Sequence, residues 1–578
     1  MSTVPAPIEL EPTKAQRRHD LDALRAFAML LGIALHASMS FIPGLPWPVQ
    51  DTQQAGWFMV LFLAIHGFRM PLFFLVSGFF TALLWQRRGP GGLIRNRTLR
   101  ILVPCLLGLV TVVPAISVLP ALATGRSLVV SAADDGSLIG AIRFGDAAAV
   151  RARLDEGAEI EAPDPAIQAR PLSWAALRGD LDIARLLLER GADLKGLNED
   201  LSTPLHAAAF TARPDLVRLF LEKGADPGVR GKDGSRPLEA ARADWELVKG
   251  IADYIHIPVG DREEFERRRA EVIRILEPVS PGSAAVASTE TPRATGPFMG
   301  VLDAYEAAMG SERLAYKLGG QRFHLVKSSV FAHLWFLWFL CWLAPLFVLF
   351  MAVATTIGLP RPSRRLVVSP ANLLWLIPLT FVPQYFMGIK YPLLGPDTAE
   401  GLVLPPHLLL YYGIFFGFGA LYYFTGDPED RLGRNWRVSL PVALLVLIPA
   451  GIATMAGSRP LTALIQAAYV WLMCFGLLGL FRKIHPEENR AVRYLSDSSY
   501  WLYLTHLAVV MTAQVLVQGW SLPATLKFGI VFAGTVAPLL LAYQLLVRHT
   551  WIGWLLNGTR HRPAPAPEAE APAATASA

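Results

Sequence analysis

Residues 20–41 read DLDALRAFAMLLGIALHASMSF. A bilayer span needs about 20 consecutive, mostly apolar residues, and this stretch supplies them. Its polar residues are ordered. Asp22, Arg25, Met29, Gly32 and His36 recur at three- and four-residue intervals, which places them on one face of a helix. Arg25 and His36 are eleven residues apart, roughly 16 Å along the axis. Ionisable groups at bilayer depth are costly unless they pair, snorkel or work. Asp22 and Arg25 can pair one turn apart near the inner end, leaving His36 toward the outer end. Spacing alone leaves two readings open: a buried histidine bonded to a neighbouring helix with Arg25 snorkelling inward, or a functional face.

Much of the rest of the chain is similarly apolar. Of 578 residues, 53% are hydrophobic and 17% charged, and mean hydropathy is +0.38. Soluble proteins average about 25% charged residues, so much of the chain needs an apolar environment beyond its own core. The net charge of +6 is small for the length and argues against nucleic acid as a partner. Cys105, Cys341 and Cys474 all sit in apolar runs, which excludes a disulfide framework and a cysteine-based zinc site. Ten spans are expected, at 20–41, 58–84, 101–123, 329–357, 370–388, 404–424, 438–456, 461–481, 496–517 and 524–547. The first carries internal charge and lacks a small-residue cleavage site, so it reads as a span and not as a removable signal peptide. The expected fold is all-α, a polytopic bundle of about ten transmembrane helices.

Basic residues fall in alternate loops. Lys14, Arg17 and Arg18 precede the first span. Arg87, Arg88, Arg95, Arg97 and Arg100 lie between the second and third, and further clusters follow at 361–365, 431–437, 482–493 and 548–562. This bias predicts both termini in the cytoplasm of a bacterial-type inner membrane. The long polar segment between the third and fourth spans then lies outside the cytoplasm. It contains a repeat with spacings of 34 and 33 residues, marked by Glu156-Gly157-Ala158, Arg190-Gly191-Ala192 and Lys223-Gly224-Ala225. Thr203-Pro204-Leu205-His206-Ala207-Ala208 resembles the ankyrin repeat, with Pro at the first helical position and Gly as the left-handed cap. His206 in that setting reads as a turn residue. The expected organisation is a tail at 1–19, spans one to three at 20–124, four ankyrin units at 130–280, a Ser/Thr/Ala/Pro-rich linker at 281–324, the remaining spans at 325–548, and a disordered Pro/Ala/Glu-rich tail at 549–578.

The same topology puts His36, His66 with Arg69, His333 and His407 toward the outer side, four of twelve histidines at one depth. Imidazole suits proton transfer near neutral pH, so an outward-open pocket is expected. A histidine metal site is a rival, weakened because Asp51 and Asp397 are the only nearby acids; no metal is expected. His506, mid-span, reads as a helix-packing group or as part of the pocket. On the inner side, the Arg87–Arg100 loop is wholly cationic and glycine-rich at Gly89, Gly91 and Gly92. It fits either the positive-inside bias or a phosphate-bearing donor held bidentately.

Three motifs together resemble the membrane acyltransferase family called acyltransferase 3. They are the first span from Asp22 to His36, Phe73-Phe74-Leu75-Val76-Ser77-Gly78-Phe79, and Arg97-Thr98-Leu99-Arg100. Phe68-Arg69-Met70-Pro71-Leu72-Phe73-Phe74, His333-Leu334-Trp335-Phe336-Leu337 and Ser499 to His506 are similar to family members that act on periplasmic glucans. The resemblance implies an acyl-CoA-dependent O-acyltransferase. A succinyl or acetyl group would pass from cytoplasmic acyl-CoA, a co-substrate with no permanently bound cofactor, to a hydroxyl of a periplasmic glucan or other envelope carbohydrate. It implies His36 as the main catalytic residue and Arg25, Arg97 and Arg100 as donor-side residues. Read beside it, the sequence sets Arg25 and Asp22 with His36 as catalytic residues, Arg95 with Arg97 and Arg100 as acyl-CoA-binding, and His66, Arg69, Ser77, His333, Trp335 and His506 as an acceptor pocket. Arg69 is a further candidate for the free carboxylate of a succinyl group. The ankyrin segment departs from the family pattern and implies a protein partner. A transporter or channel with an ankyrin sensor is the alternative, disfavoured because no paired Gly/Pro-broken spans or acidic ring appear.

Overall fold

A computed structural model describes residues 18–124, 137–280 and 299–558, apart from residues 44, 46, 52, 165–166, 199, 232–233, 244, 256, 310, 312–313, 319–320, 361, 389–393, 400, 456–457 and 486. The first 17 residues, residues 281–298 of the expected linker at 281–324 and residues 559–578 of the expected tail at 549–578 lie outside the described residues. The rest of the linker carries a helix and a short hairpin, and residues 551–557, expected to be disordered, form a helix. The chain divides into two compact units, one of residues 1–43, 50–116 and 302–578, the other of residues 44–49 and 117–301.

The first unit is a helical bundle. Its elements in order are α1 (His19–Ser38), α2 (Trp57–Arg97), the start of α3 (Val103–Thr124), and, after the second unit, the end of α13 (Met299–Met309). A short antiparallel hairpin follows, β1 (Ala315–Leu318) with β2 (Gln321–His324), Ala315 facing His324. Then come α14 (Trp335–Thr356), α15 (Arg364–Val368), α16 (Leu373–Tyr385), α17 (Pro406–Thr425), α18 (Trp436–Pro441), α19 (Ile448–Thr454), α20 (Arg459–Ile484), α21 (Arg490–Gln518), α22 (Ala524–Ala542) and α23 (Trp551–Asn557). Among the described residues, eight helices are long and apolar enough to cross a membrane, and the chain is a multi-pass membrane bundle.

Two elements account for the difference between the ten expected spans and these eight helices. Helical residues run without a loop between them from Trp57 to Pro120, as two helices joined at a sharp kink. Inside it, Gly89 takes φ 65° and ψ −176°, followed by Pro90. A straight helix would hold Arg97 roughly 24 Å from Thr81. Arg97 Nη2 in fact donates to Thr81 Oγ1 at 2.5 Å. The chain has therefore doubled back at Gly89, a backbone conformation that glycine adopts without strain, and the stretch counts as two spans. The expected span at 370–388 is α16, only 13 residues long with Pro378 and Pro383 inside it. Arg459 closes its end, donating to the carbonyls of Tyr385, Met387 and Gly388 at 3.0, 3.1 and 2.8 Å.

Close approach in this bundle depends on absent side chains. A Cβ on Gly78 of α2 would lie 1.9 Å from the Phe416 carbonyl oxygen, and one on Gly419 of α17 would lie 1.9 Å from that of Leu75. The two helices cross backbone to backbone, as small residues allow in membranes. α1 and α21 run side by side in the same direction. Arg25 meets Ser496 at one end, while His36 and the Gln514 side chain meet at the other.

The second unit is a stack of helix pairs: α4 (Leu138–Phe144) with α5 (Ala147–Asp155), α6 (Pro171–Arg178) with α7 (Leu181–Glu189), α8 (Pro204–Phe210) with α9 (Pro214–Glu222), and α10 (Pro237–Ala241) followed by α11 (Trp245–Tyr254) and α12 (Arg262–Leu276). Pro occupies the first helical turn of α6, α8, α9 and α10. Arginines staple successive pairs: Arg178 donates to the Arg143 and Phe144 carbonyls, and Arg213 to those of Leu177 and Pro258. Burial and the neighbouring Arg268 bring the Arg213 guanidinium down to about 10, still charged at neutral pH. His206 is the turn residue its setting implies. Its Nδ1 accepts from the Thr203 N–H at 3.1 Å, so Nε2 carries the proton and donates to the Ser235 carbonyl of the next repeat at 3.2 Å.

Candidate active site

The site is assembled around the outer half of α1 as the sequence reading orients it. His36 sits one turn beyond Gly32, and its backbone carbonyl accepts from Gln514 Nε2 at 2.9 Å. The His506 ring of α21 lies 5.2 Å from the His36 ring, centroid to centroid. The His333 ring, from the turn leading into α14, lies 5.2 Å from that of His506, edge to face. Three imidazoles from three distant segments therefore form a contiguous row, with His506 in the middle.

Backbone carbonyls fix the proton on two of these rings. His506 Nδ1 faces the carbonyls of Tyr503 at 2.9 Å and Leu502 at 3.1 Å. A carbonyl only accepts, so Nδ1 carries the hydrogen. His506 Nε2 is buried and has no hydrogen-bond partner among the described residues. His333 is held the other way round: Nε2 donates to the Leu504 carbonyl at 2.9 Å, and buried Nδ1 has no partner among the described residues. The Tyr503 hydroxyl donates to the His333 carbonyl at 2.6 Å. Each neutral ring thus keeps one lone pair available inside the cluster, the arrangement a base requires.

Arg69 and His66 enter from α2. Pro71 has no N–H, which leaves the Gly67 carbonyl without its helical donor. Gln466 of α20 supplies one, Nε2 to Gly67 O at 2.8 Å, and the Tyr469 hydroxyl donates to the Ala64 carbonyl at 2.6 Å. This repair holds the break in α2 beside the site. The Arg69 guanidinium lies directly on Gly32, where a Cβ would fall 2.0 Å from Nη1. His36 lies in the electrostatic field of Arg69, His66, His333 and His506. The His66 ring stacks on Phe62 at 5.2 Å and is covered by Gly395, whose added Cβ would lie 2.4 Å from it. That covering loop is anchored by Asp397, which accepts from the Gly388 N–H at 3.0 Å. Burial raises the Asp397 carboxyl above its usual range, against the opposing pull of that hydrogen bond and of Arg459.

The other candidates lie elsewhere in the bundle. Asp22 and Arg25 form an ion pair at 3.7 Å, with Arg25 donating to Ser496 Oγ at 2.7 Å and to its carbonyl at 3.0 Å. Arg97 reaches Thr81, whose hydroxyl donates to the Ser77 carbonyl at 2.7 Å, so Ser77 belongs to the Arg97 end of α2. Arg100 donates to the carbonyls of Trp554 and Leu555 at 3.3 and 3.5 Å and holds α23 in place; Arg95 is exposed. Trp335 packs with Phe74 and Tyr412 in an aromatic wall. His407 departs from the expected group: its Nδ1 pairs with the Tyr305 hydroxyl at 2.7 Å. Asp51, weighed as a metal ligand, is committed to buried Lys527, Nζ to Oδ1 at 2.9 Å and Oδ2 at 3.0 Å. Among the described residues, no group of three or more His, Cys, Asp or Glu is arranged to hold a metal ion. Lys527 and Gln466 were missed because each is a single polar residue in an apolar run, with nothing in its spacing to name its partner.

Comparison with known proteins gives this arrangement a family. Residues 18–141 and 272–547, more than half of the chain, match the acyltransferase domain of the acyltransferase 3 model. The chain belongs to the acyltransferase 3 family. Residues 138–230 match three ankyrin repeats, one fewer than the four helical units in the fold. Over 78 residues the chain is 40% identical to glucans biosynthesis protein C of Shigella dysenteriae serotype 1 (strain Sd197) and 38% identical to that of Escherichia coli (strain K12). Each aligned stretch is 14% of this chain and 20% of the relative, so the likeness spans a fifth of those proteins. This acyltransferase 3 member carries its ankyrin repeats between the two parts of the family domain.

Proposed function

We propose that this protein is an integral membrane O-acyltransferase that moves a succinyl or acetyl group from cytoplasmic acyl-CoA to a hydroxyl of an extracytoplasmic glucan or other envelope carbohydrate. The observation carrying this reading is the imidazole row at His36, His506 and His333, in a member of the acyltransferase 3 family. The name of the glucan-biosynthesis relatives supports a carbohydrate acceptor. In the scheme, His36 takes the proton of the acceptor hydroxyl as that oxygen attacks the thioester carbonyl, and returns it to the departing sulfur. The Asp22–Arg25–Ser496 cluster organises the donor side of α1. Arg97, with Arg95 beside it, meets the phosphates of the donor. Thr81, where Arg97 ends, is twelve residues from Arg69, about 18 Å along α2, a length that an extended thioester arm crosses. The ankyrin stack offers its surface to a protein partner of the cell envelope.

The test is transfer of labelled acyl groups from a series of acyl-CoAs to glucan by the purified protein. His36→Ala is expected to lower transfer by about 10²–10⁴-fold, the usual contribution of a positioned base, with membrane insertion unchanged. Near-full transfer by that variant would sink the scheme.

A further inference from the structure

Arg69 presents an unbalanced charge. It projects from α2 into the bundle, and among the described residues it forms no ion pair and no hydrogen bond. Its Nε is buried without a partner, and the phenol groups near it, Tyr412 and Tyr503, are uncharged at neutral pH. A guanidinium carries five donors and no acceptor, so inside a membrane bundle it calls for an anion. The other ionisable groups gathered here, His36, His66, His333 and His506, supply none in their neutral or protonated forms. The place of the cation is also specific. Nη1 rests on Gly32, four residues before His36 on the same face of α1, and the absence of a side chain at Gly32 is what admits it.

We propose that Arg69 stabilises the oxyanion of the acyl-transfer step. The inference deepens the acyltransferase reading above and rests on it. When the acceptor oxygen bonds to the thioester carbon, its proton passes to His36 and the carbonyl π electrons move onto oxygen. That oxygen, now negative, faces the Arg69 guanidinium. As the tetrahedral centre collapses, the C=O bond re-forms, the C–S bond breaks, and the proton returns from His36 to sulfur, leaving ester and thiol. A cation already in place where the charge develops acts on the transition state and not on ground-state binding.

The experiment measures kcat and KM for an acetyl and a succinyl thioester with three forms of the full-length protein: wild type, Arg69→Met and Gly32→Ala. Gly32→Ala retains every charge, and its methyl group meets only the far end of a flexible side chain, so the helix forms while the guanidinium is pushed aside. Arg69→Met is expected to lose about 10²–10³-fold in kcat with both donors, as when an oxyanion-hole donor is removed, with little change in donor KM. Gly32→Ala is expected to fall in the same direction with both donors, and it decides the matter if Arg69→Met does not fold. Unchanged kcat in a folded variant would overturn the role of Arg69. So would a loss confined to the succinyl donor, which would place Arg69 on the donor's free carboxylate. Wild type that transfers neither acyl group would overturn the acyltransferase reading, and this inference with it.

Discussion

Lys527 and Asp51 show how much a single polar residue can commit in this bundle. The Lys527 side chain is fully buried and that of Asp51 is 2% exposed. Besides the carboxylate, Nζ donates to the Gln518 carbonyl at 3.1 Å, and Asp51 Oδ1 accepts from the Gln53 N–H at 2.8 Å. The pair ties the loop after α1 to the start of α22. Two charges taken from water return little net stability, but removing one partner leaves the other buried and uncompensated. Lys527→Met alone is therefore expected to cost about 3–5 kcal/mol, seen as a lower melting temperature in detergent. The double variant Lys527→Met with Asp51→Leu should recover most of that loss. A double variant no more stable than the single would refute the account. The same logic separates the histidines: His333 and His506 each spend one nitrogen on a backbone carbonyl, while His407 is engaged with Tyr305.

At the scale of elements, the α2–α17 crossing positions the aromatic wall and holds the Arg69 end of α2 in place. Phe74 meets Tyr412 at 4.6 Å because Gly78 and Gly419 let the two backbones touch. A methyl group at Gly419 would meet carbonyl oxygen and neighbouring backbone of α2, which no rotamer change relieves. Gly419→Ala is expected to destabilise the bundle by about 1–3 kcal/mol, read as reduced thermal stability of the purified protein. Wild-type stability would show that the helices can separate at no cost. The doubling back at Gly89 was expected from hydropathy, as two apolar stretches flanking a basic loop. That the reversal takes a single residue and no loop was not, because it rests on one glycine at positive φ followed by a proline with no N–H to donate.

For the whole molecule, the ankyrin stack buries its own core, from Leu138 to Leu276, and forms a compact unit by itself. Deleting 130–285 is expected to leave acyl transfer by the purified protein near wild type while lowering it in cells, measured as acylated glucan per cell. Loss of transfer in vitro would show instead that the repeats support the catalytic bundle. The spans, the 33- and 34-residue repeat, the proline-led helices and the helix face carrying Asp22, Arg25, Gly32 and His36 were all legible in the sequence. Each is a local pattern of hydropathy, cap or period along one helix. Counting residues inward from a basic loop also grouped His36, His66, His333 and His407 before any contact was known, and the first three do lie within one electrostatic cluster. Which helices are neighbours, and how each is turned about its axis, is set by packing between segments far apart in the chain. Only the tertiary structure therefore put His506 between His36 and His333, removed His407 to Tyr305, turned Arg100 onto α23, and laid Arg69 across Gly32.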